Sequence, residues 1–387
     1  MKVLGIISSR LWRSSSSPSG PQTPTNERLL SVDALRGFDM FWIIGGDGVA
    51  AATIKCCGPA IQKALLPQLR HSVWEGFVFH DLIFPLFLFL VGMSAVFSLN
   101  KTLAREGKAA AYRRILRRAL LLFLLGIIYN GGFAHRWPNI RLLGTLQRIA
   151  LCYLFTAVAI VHLHWRGLVV TLVAILVGYW AWLSFVPLPG QEMISFAPGQ
   201  NWTNYIDSVI LPGQKWAGEW EIVGLLSTLP ATASCLLGAL AAHLLISPHI
   251  SERSKVGYLI GGGILCAICG YGWGTQLPVI LQLWTSSYVL VAGGYSCILL
   301  GLFHLAIDLW KAQKWAIPFL WIGSNAITLF MLHGVIDFHR LACRLANGDI
   351  RAALGERAGE LLLAGVSLGL ILALARFLYK RQIFLRV

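Results

Sequence analysis

Charge is scarce in this sequence. Asp, Glu, Lys and Arg make up 13% of its 387 residues, and only 17 of these residues are acidic. A soluble domain carries about 25% charged residues, so the composition excludes an ordinary soluble globular fold. Metal-ligand spacing is lacking too. Of the eight cysteines, Cys266 and Cys269 fall inside an apolar run and read as small buried hydrophobes, so no metal is expected. The opening "VLGII" is too short for the apolar core of a signal peptide. Residues 1–28, with "SSSSPSGPQTPTNE", read as a disordered cytoplasmic tail.

What is present is apolar: 56% of residues are hydrophobic and the mean hydropathy is +0.67. Runs of roughly 20 apolar residues read as membrane spans. Ten occur, near 36–56, 79–99, 115–134, 142–162, 167–186, 222–246, 256–274, 286–310, 317–336 and 359–379. The fold expected is all-α: a polytopic integral membrane protein of about ten transmembrane helices, one domain over 29–387. The side holding both termini collects 21 Lys and Arg, against 10 on the opposite side. That bias puts both termini in the cytoplasm. The net charge of +15 then reads as a topology and lipid-headgroup signal, and nucleic acid is not an expected partner. Trp202, Trp216 and Trp220 in the external 186–221 loop read as an interfacial aromatic belt. Gly257 and Gly261 form a GxxxG, read as close helix packing.

Ionisable groups inside spans are costly and therefore functional candidates. At about 1.5 Å per residue, Asp47 lies roughly 14 Å below the external surface. His80 and Asp81 open the second span, with His71 just before it in "LRHSVWEGFVFHDLIFPLF". Asn130 ends the third span, and Gln147 and Arg148 in "GTLQRIALCYL" begin the fourth. Asn325 and His333 lie in "IGSNAITLFMLHG". These groups share the outer half of the membrane. A structural network is the bland alternative, with Arg148 neutralised by Asp47 or Asp81. Asp33, Arg36 and Asp39, spaced three apart, read as mutually neutralising. For the outer cluster a purely structural role would not need an imidazole at its rim, and His titrates near neutral pH.

Five blocks together, "SVDALRGFDMFWIIGGD", "RHSVWEGFVFHDLIFPLFLFLVGMS", "LGTLQRIALCYLF", "LWTSSYVL" and "WIGSNAITLFMLHG", resemble in order those of the heparan-alpha-glucosaminide N-acetyltransferase family and its bacterial relatives. The resemblance covers nearly everything after about residue 29. The large N-terminal luminal region of the animal enzymes has no counterpart here, which points to a bacterial-type member in an inner membrane. The resemblance implies transfer of acetyl from cytosolic acetyl-CoA to the amine of a terminal glucosamine across the membrane. It implies His71 as base or nucleophile, with Asp81 able to orient the imidazole. Asp47, Asn130, Gln147, Arg148, Asn325 and His333 would contact donor or acceptor. The basic run "KTLAREGKAAAYRRILRR" would serve the phosphates of the coenzyme or merely the inside-positive rule.

The family often reads "LPINKxLWT" where this chain reads "LPVILQLWT", with Ile280 and Leu281 at the Asn and Lys positions. That departure puts the acceptor in doubt, and an amino sugar of a cell-wall or host glycan becomes the expectation. Expected partners are an amino-sugar or glycan acceptor, membrane lipid and a second copy of the chain as a homodimer. An amino-sugar permease and an O-acetyltransferase of an envelope glycan are the competing readings. The permease would use the intramembrane Asp, Arg and His as its pathway.

Overall fold

The computed structural model describes residues 29–384 apart from 135, 137 and 138. The expected tail, 1–28, lies outside the described residues. Helices follow one another with loops between: α1 Leu30–Phe41, a π-helical turn Trp42–Gly46, α2 Asp47–Lys55, α3 Pro59–Leu65, α4 Ile83–Tyr129, α5 Thr145–His162 and α6 Trp165–Phe185. Then come α7 Trp202–Ile210, α8 Thr228–Ile246, α9 Glu252–Trp273, α10 Ser286–Phe303, α11 Ile317–Gly323, α12 Ala326–Val335, α13 Phe338–Ala346 and α14 Asp349–Lys380. This is an all-helical, multi-pass membrane architecture.

Among the described residues, seven helices are long and apolar enough to cross a membrane, or eight if the pair Lys314–Gly323 and Ala326–Val335, bent by 67°, is one span. Two local features make this fewer than the ten expected segments. The stretch Phe79–Tyr129 carries two of them as one helix of 51 residues. Its backbone leaves helical geometry at Gly107, with φ 79° and ψ −175°. A straight helix would hold residues 102 and 114 about 18 Å apart, yet the Arg114 guanidinium donates to Thr102 Oγ1 at 3.2 Å. The chain therefore doubles back at Gly107, where a side chain would be strained. The first expected segment is likewise divided, by the π-helical turn at Trp42–Gly46 with Gly45 at φ 126°.

Close backbone approach joins the halves of the bundle. A Cβ added to Gly92 in α4 would lie 1.8 Å from the Cys235 carbonyl oxygen in α8, and one on Gly238 would meet the Phe89 carbonyl at the same distance. The two glycines thus let α4 and α8 touch backbone to backbone, the arrangement small residues give helices in lipid. Gly257 and Gly261 do not act this way. Nothing lies within 4 Å of a Cβ on either, so the packing expected of that GxxxG does not occur within the described chain. The α9–α10 contact instead uses Gly263 and Gly270 of α9 and Gly294 of α10.

This difference predicts a mutational contrast. Gly92→Ala should destabilise by about 1–3 kcal/mol, the usual cost of overpacking, because backbone must move. Gly257→Ala should leave stability unchanged. Thermal unfolding in detergent measures both, and equal effects would refute the assignment.

Candidate functional site

The loop before α4 is held at several points, which gives its side chains fixed places. Gly76 N–H donates to the Val279 carbonyl at 2.9 Å, and Glu75 forms an isolated antiparallel bridge with Ile280. The departure from the family pattern therefore falls on a segment that braces the loop through its backbone. Ile280 and Leu281 are both buried, and Leu281 packs in the apolar core. Trp74 Nε1 donates to the Phe196 carbonyl at 2.9 Å, tying in the 186–221 loop. Phe79 N–H donates to Gln68 Oε1 at 3.0 Å, and Phe79 packs edge-on against Trp42, ring centroids 4.9 Å apart.

Within this frame His71 Nδ1 lies 2.8 Å from Asp81 Oδ1. The His71 side chain is 53% exposed, whereas that of Asp81 is fully buried. Asp81 is fixed from two further directions. Its Oδ2 accepts from Val78 N–H at 3.1 Å, and its backbone carbonyl accepts from Tyr288 Oη at 2.7 Å. A buried carboxylate held this way sets the tautomer of the imidazole, leaving Nε2 as the free nitrogen. The His80 ring stands edge to face on His71, centroids 4.5 Å apart. Asp47, half-buried at the start of α2, accepts from Gly48 N–H at 2.7 Å and lies within electrostatic reach of both His80 and His333.

Arg148 is buried in α5, but neither Asp47 nor Asp81 neutralises it, contrary to the structural alternative raised from sequence. Its guanidinium donates to the Gly224 carbonyl at 3.2 Å and to Ser227 Oγ, and it stands 4.9 Å over the Trp284 ring. Trp284 in turn packs edge-on against Tyr288 at 5.2 Å. Aromatic rings thus bridge Arg148 to the Asp81 carbonyl. Trp284 holds φ at 52°, a left-handed conformation costly for a bulky residue, of the kind that collects at functional sites. In the sequence only the block "LWTSSYVL" signalled this pair. Ser227 and Gly224 carried no signal, since 76 to 79 residues separate them from Arg148.

Asn130, capping α4, and Gln147 approach one another around Gly144. The Asn130 Nδ2 and both amide atoms of Gln147 are buried without a hydrogen-bond partner, as are both amide atoms of Asn325 and Nδ1 of His333 and His80. Asn325 occupies the break between α11 and α12. Tyr129 of α4 stacks on Phe330 of α12 at 4.6 Å, which brings that helix beside the Asn130 end. No hydrogen bond joins Asn325 to the other candidates among the described residues. Buried amides normally find partners, so these unpaired groups are available to a ligand. Within α1, Arg36 pairs with Asp33 at 3.1 Å and donates to Ser94 Oγ at 2.7 Å. Asp39 stays outside that pair, buried with both oxygens unpartnered.

Compared with known families and proteins, the chain matches no family model. It is similar to heparan-alpha-glucosaminide N-acetyltransferase of Homo sapiens, 25% identical over 395 residues, covering 86% of this chain and 55% of that protein. The Mus musculus protein of the same name is 23% identical over 388 residues, covering 82% and 56%. The relationship is at the level of a family. The chain spans about half the length of these curated relatives.

One acidic group outside the spans gives a pH prediction. Asp207 in α7 is buried and accepts from Leu225 N–H at 2.8 Å, on the strap that supplies Gly224 and Ser227 to Arg148. Burial pushes its carboxyl from 3.8 up to about 6, against the opposing pull of the Leu225 N–H and Arg148. Between these values the folded state keeps a proton that the unfolded state has released. The contribution to stability is therefore full below 3.8 and lost as pH rises through about 6. Asp207→Asn should raise the melting temperature at pH 7.5 and bring no gain below pH 4. A gain that grows on acidification would refute this.

Proposed function

We propose that this protein is a transmembrane N-acetyltransferase that moves acetyl from cytosolic acetyl-CoA to an amino sugar arriving from outside. The observation that carries the proposal is the His71–Asp81 pair, 2.8 Å apart at the rim of the bundle, in a chain related to two enzymes named for N-acetyl transfer to a glucosaminide. The chain crosses the membrane ten times, counting the reversal at Gly107 and the two broken helices as crossings, with both termini in the cytoplasm. A bacterial inner membrane is its site. The acceptor is an amino sugar of a cell-wall or host glycan, because apolar Ile280 and Leu281 stand where the family pattern has Asn and Lys.

An ammonium cannot attack a thioester, so the reaction needs a base. His71 Nε2 takes the amine proton as the C–N bond forms, while Asp81 steadies the imidazolium through Nδ1. The amides of Asn130, Gln147 and Asn325 stand ready to donate to the thioester oxygen as charge develops on it. Arg148 holds the Trp284–Tyr288 wall behind Asp81, and Asp47 and His333 complete the polar lining.

A second reading has one observation in its favour. Span 1 breaks at Gly45 and the α11–α12 pair breaks at Asn325, and α1 packs against α11. Adjacent broken helices also build transporter substrate sites. Reconstitution in liposomes with acetyl-CoA and glucosamine on opposite sides separates the two. N-acetylglucosamine as product supports the enzyme, whereas unmodified sugar crossing the bilayer supports a permease.

A further inference from the structure

We propose that His80 is a second catalytic imidazole, sharing one proton with His71 and delivering it to the thiolate that leaves the acetyl donor. The proposal rests on the acetyltransferase reading above. Its basis is the geometry of the pair. The rings stand edge to face with centroids 4.5 Å apart, and their surroundings differ. His71 is anchored through Nδ1 to Asp81 and half-exposed. His80 is less exposed, and its Nδ1 is buried without any hydrogen-bond partner. A purely structural histidine in such a place is expected to have its ring nitrogens satisfied.

The position is also built. His80 sits in a short 3-10 turn, Phe79–Leu82, that opens the second span. Phe79 wedges against Trp42, while Gln68 and Asp81 hold the backbone N–H groups of Phe79 and Val78. The charged and titratable groups facing His80 are His71 from the loop, Asp81 from its own turn and Asp47 from α2. His333 from α12 also lies within electrostatic reach of Asp47. Two imidazolium ions this close repel each other, so a single proton is assigned to the pair. Placing the proton on one ring makes that ring the acid and the other the base, as in other paired titratable groups.

The reaction balances on that single proton. The amine lone pair attacks the thioester carbonyl carbon, the C–N bond forms, and the amine proton passes to His71 Nε2. The C–S bond then breaks, its electron pair goes to sulfur, and the thiolate takes the proton carried by His80. Transfer of a proton from His71 to His80 restores the starting state. Amine and thioester have become amide and thiol, with nothing oxidised or reduced.

The test uses the full-length protein in liposomes, with acetyl-CoA and glucosamine, and follows kcat/KM across pH. The wild type should give a bell, its acid limb set by the base and its alkaline limb by the acid. His80→Asn should lower the maximum by about a hundredfold, the lower end of general-acid effects, and abolish the alkaline limb. His80→Gly should recover rate on addition of imidazole, which a merely structural loss would not do. Retention of the alkaline limb in His80→Asn, or a rate within about twofold of wild type, would overturn the proposal and leave the acetyltransferase reading standing. Failure of imidazole rescue in a folded His80→Gly would overturn it as well. Absence of acetylated sugar with the wild type would overturn both.

Discussion

Replacing His71 should lower turnover by at least about a hundredfold, the smallest loss general-base catalysis ordinarily shows. The choice of substitution matters, because Asp81 is fully buried and His71 Nδ1 is its partner at Oδ1. His71→Ala leaves that carboxylate with the Val78 N–H alone, and an unpaired buried charge destabilises the fold. His71→Asn still offers an N–H donor, so it should unfold near the wild-type temperature while losing the same activity. A parallel loss in both variants assigns the effect to chemistry. Near-normal turnover in either would remove His71 from the mechanism.

Acetyl-CoA should support the reaction from one face of the membrane only. On the proposed topology the basic 101–118 segment and both termini lie on the inside-positive face, with His71 opposite. Acetyl-CoA is polyanionic and does not cross hydrocarbon unassisted, since isolated charges there are heavily penalised. In oriented vesicles, donor on the cytoplasmic face with glucosamine on the other should yield N-acetylglucosamine on the glucosamine side. Donor on the external face alone should yield none. Equal rates from both orientations would overturn the proposed topology, whatever the enzyme's chemistry.

Much of this architecture is legible in the sequence because lipid imposes a simple rule: apolar runs become helices. What that rule cannot give is how a run is interrupted. Gly45 in "IIGGD" and Asn325 in "GSNAI" mark breaks, and hydropathy averages straight over both. Gly107 reverses the chain inside a continuous apolar and basic stretch, with little more than one residue between two helices. Pairing across distance is equally hidden. His71 and Asp81 are ten residues apart across an irregular loop, so contact depends on how the 276–285 segment braces that loop. Arg148 finds Ser227 and Gly224 on a strap whose course no periodicity predicts. The Gly257–Gly261 spacing, conversely, signalled a contact that this chain makes elsewhere on the same helix.

Backbone contact between α1 and α11 is as close as at any glycine among the described residues. A Cβ on Gly37 would lie 1.7 Å from the Phe319 carbonyl oxygen, and one on Gly323 would lie 2.0 Å from that of Asp33. Both helices then lose regular geometry shortly beyond this seam, at Gly45 and at the Ser324–Asn325 junction. The arrangement is that of two levers bolted together at one end and jointed just past the bolt. Asp47 rides on one free arm and His333 on the other. Any swing of those arms would change what the two polar groups face while the bolted ends stay still.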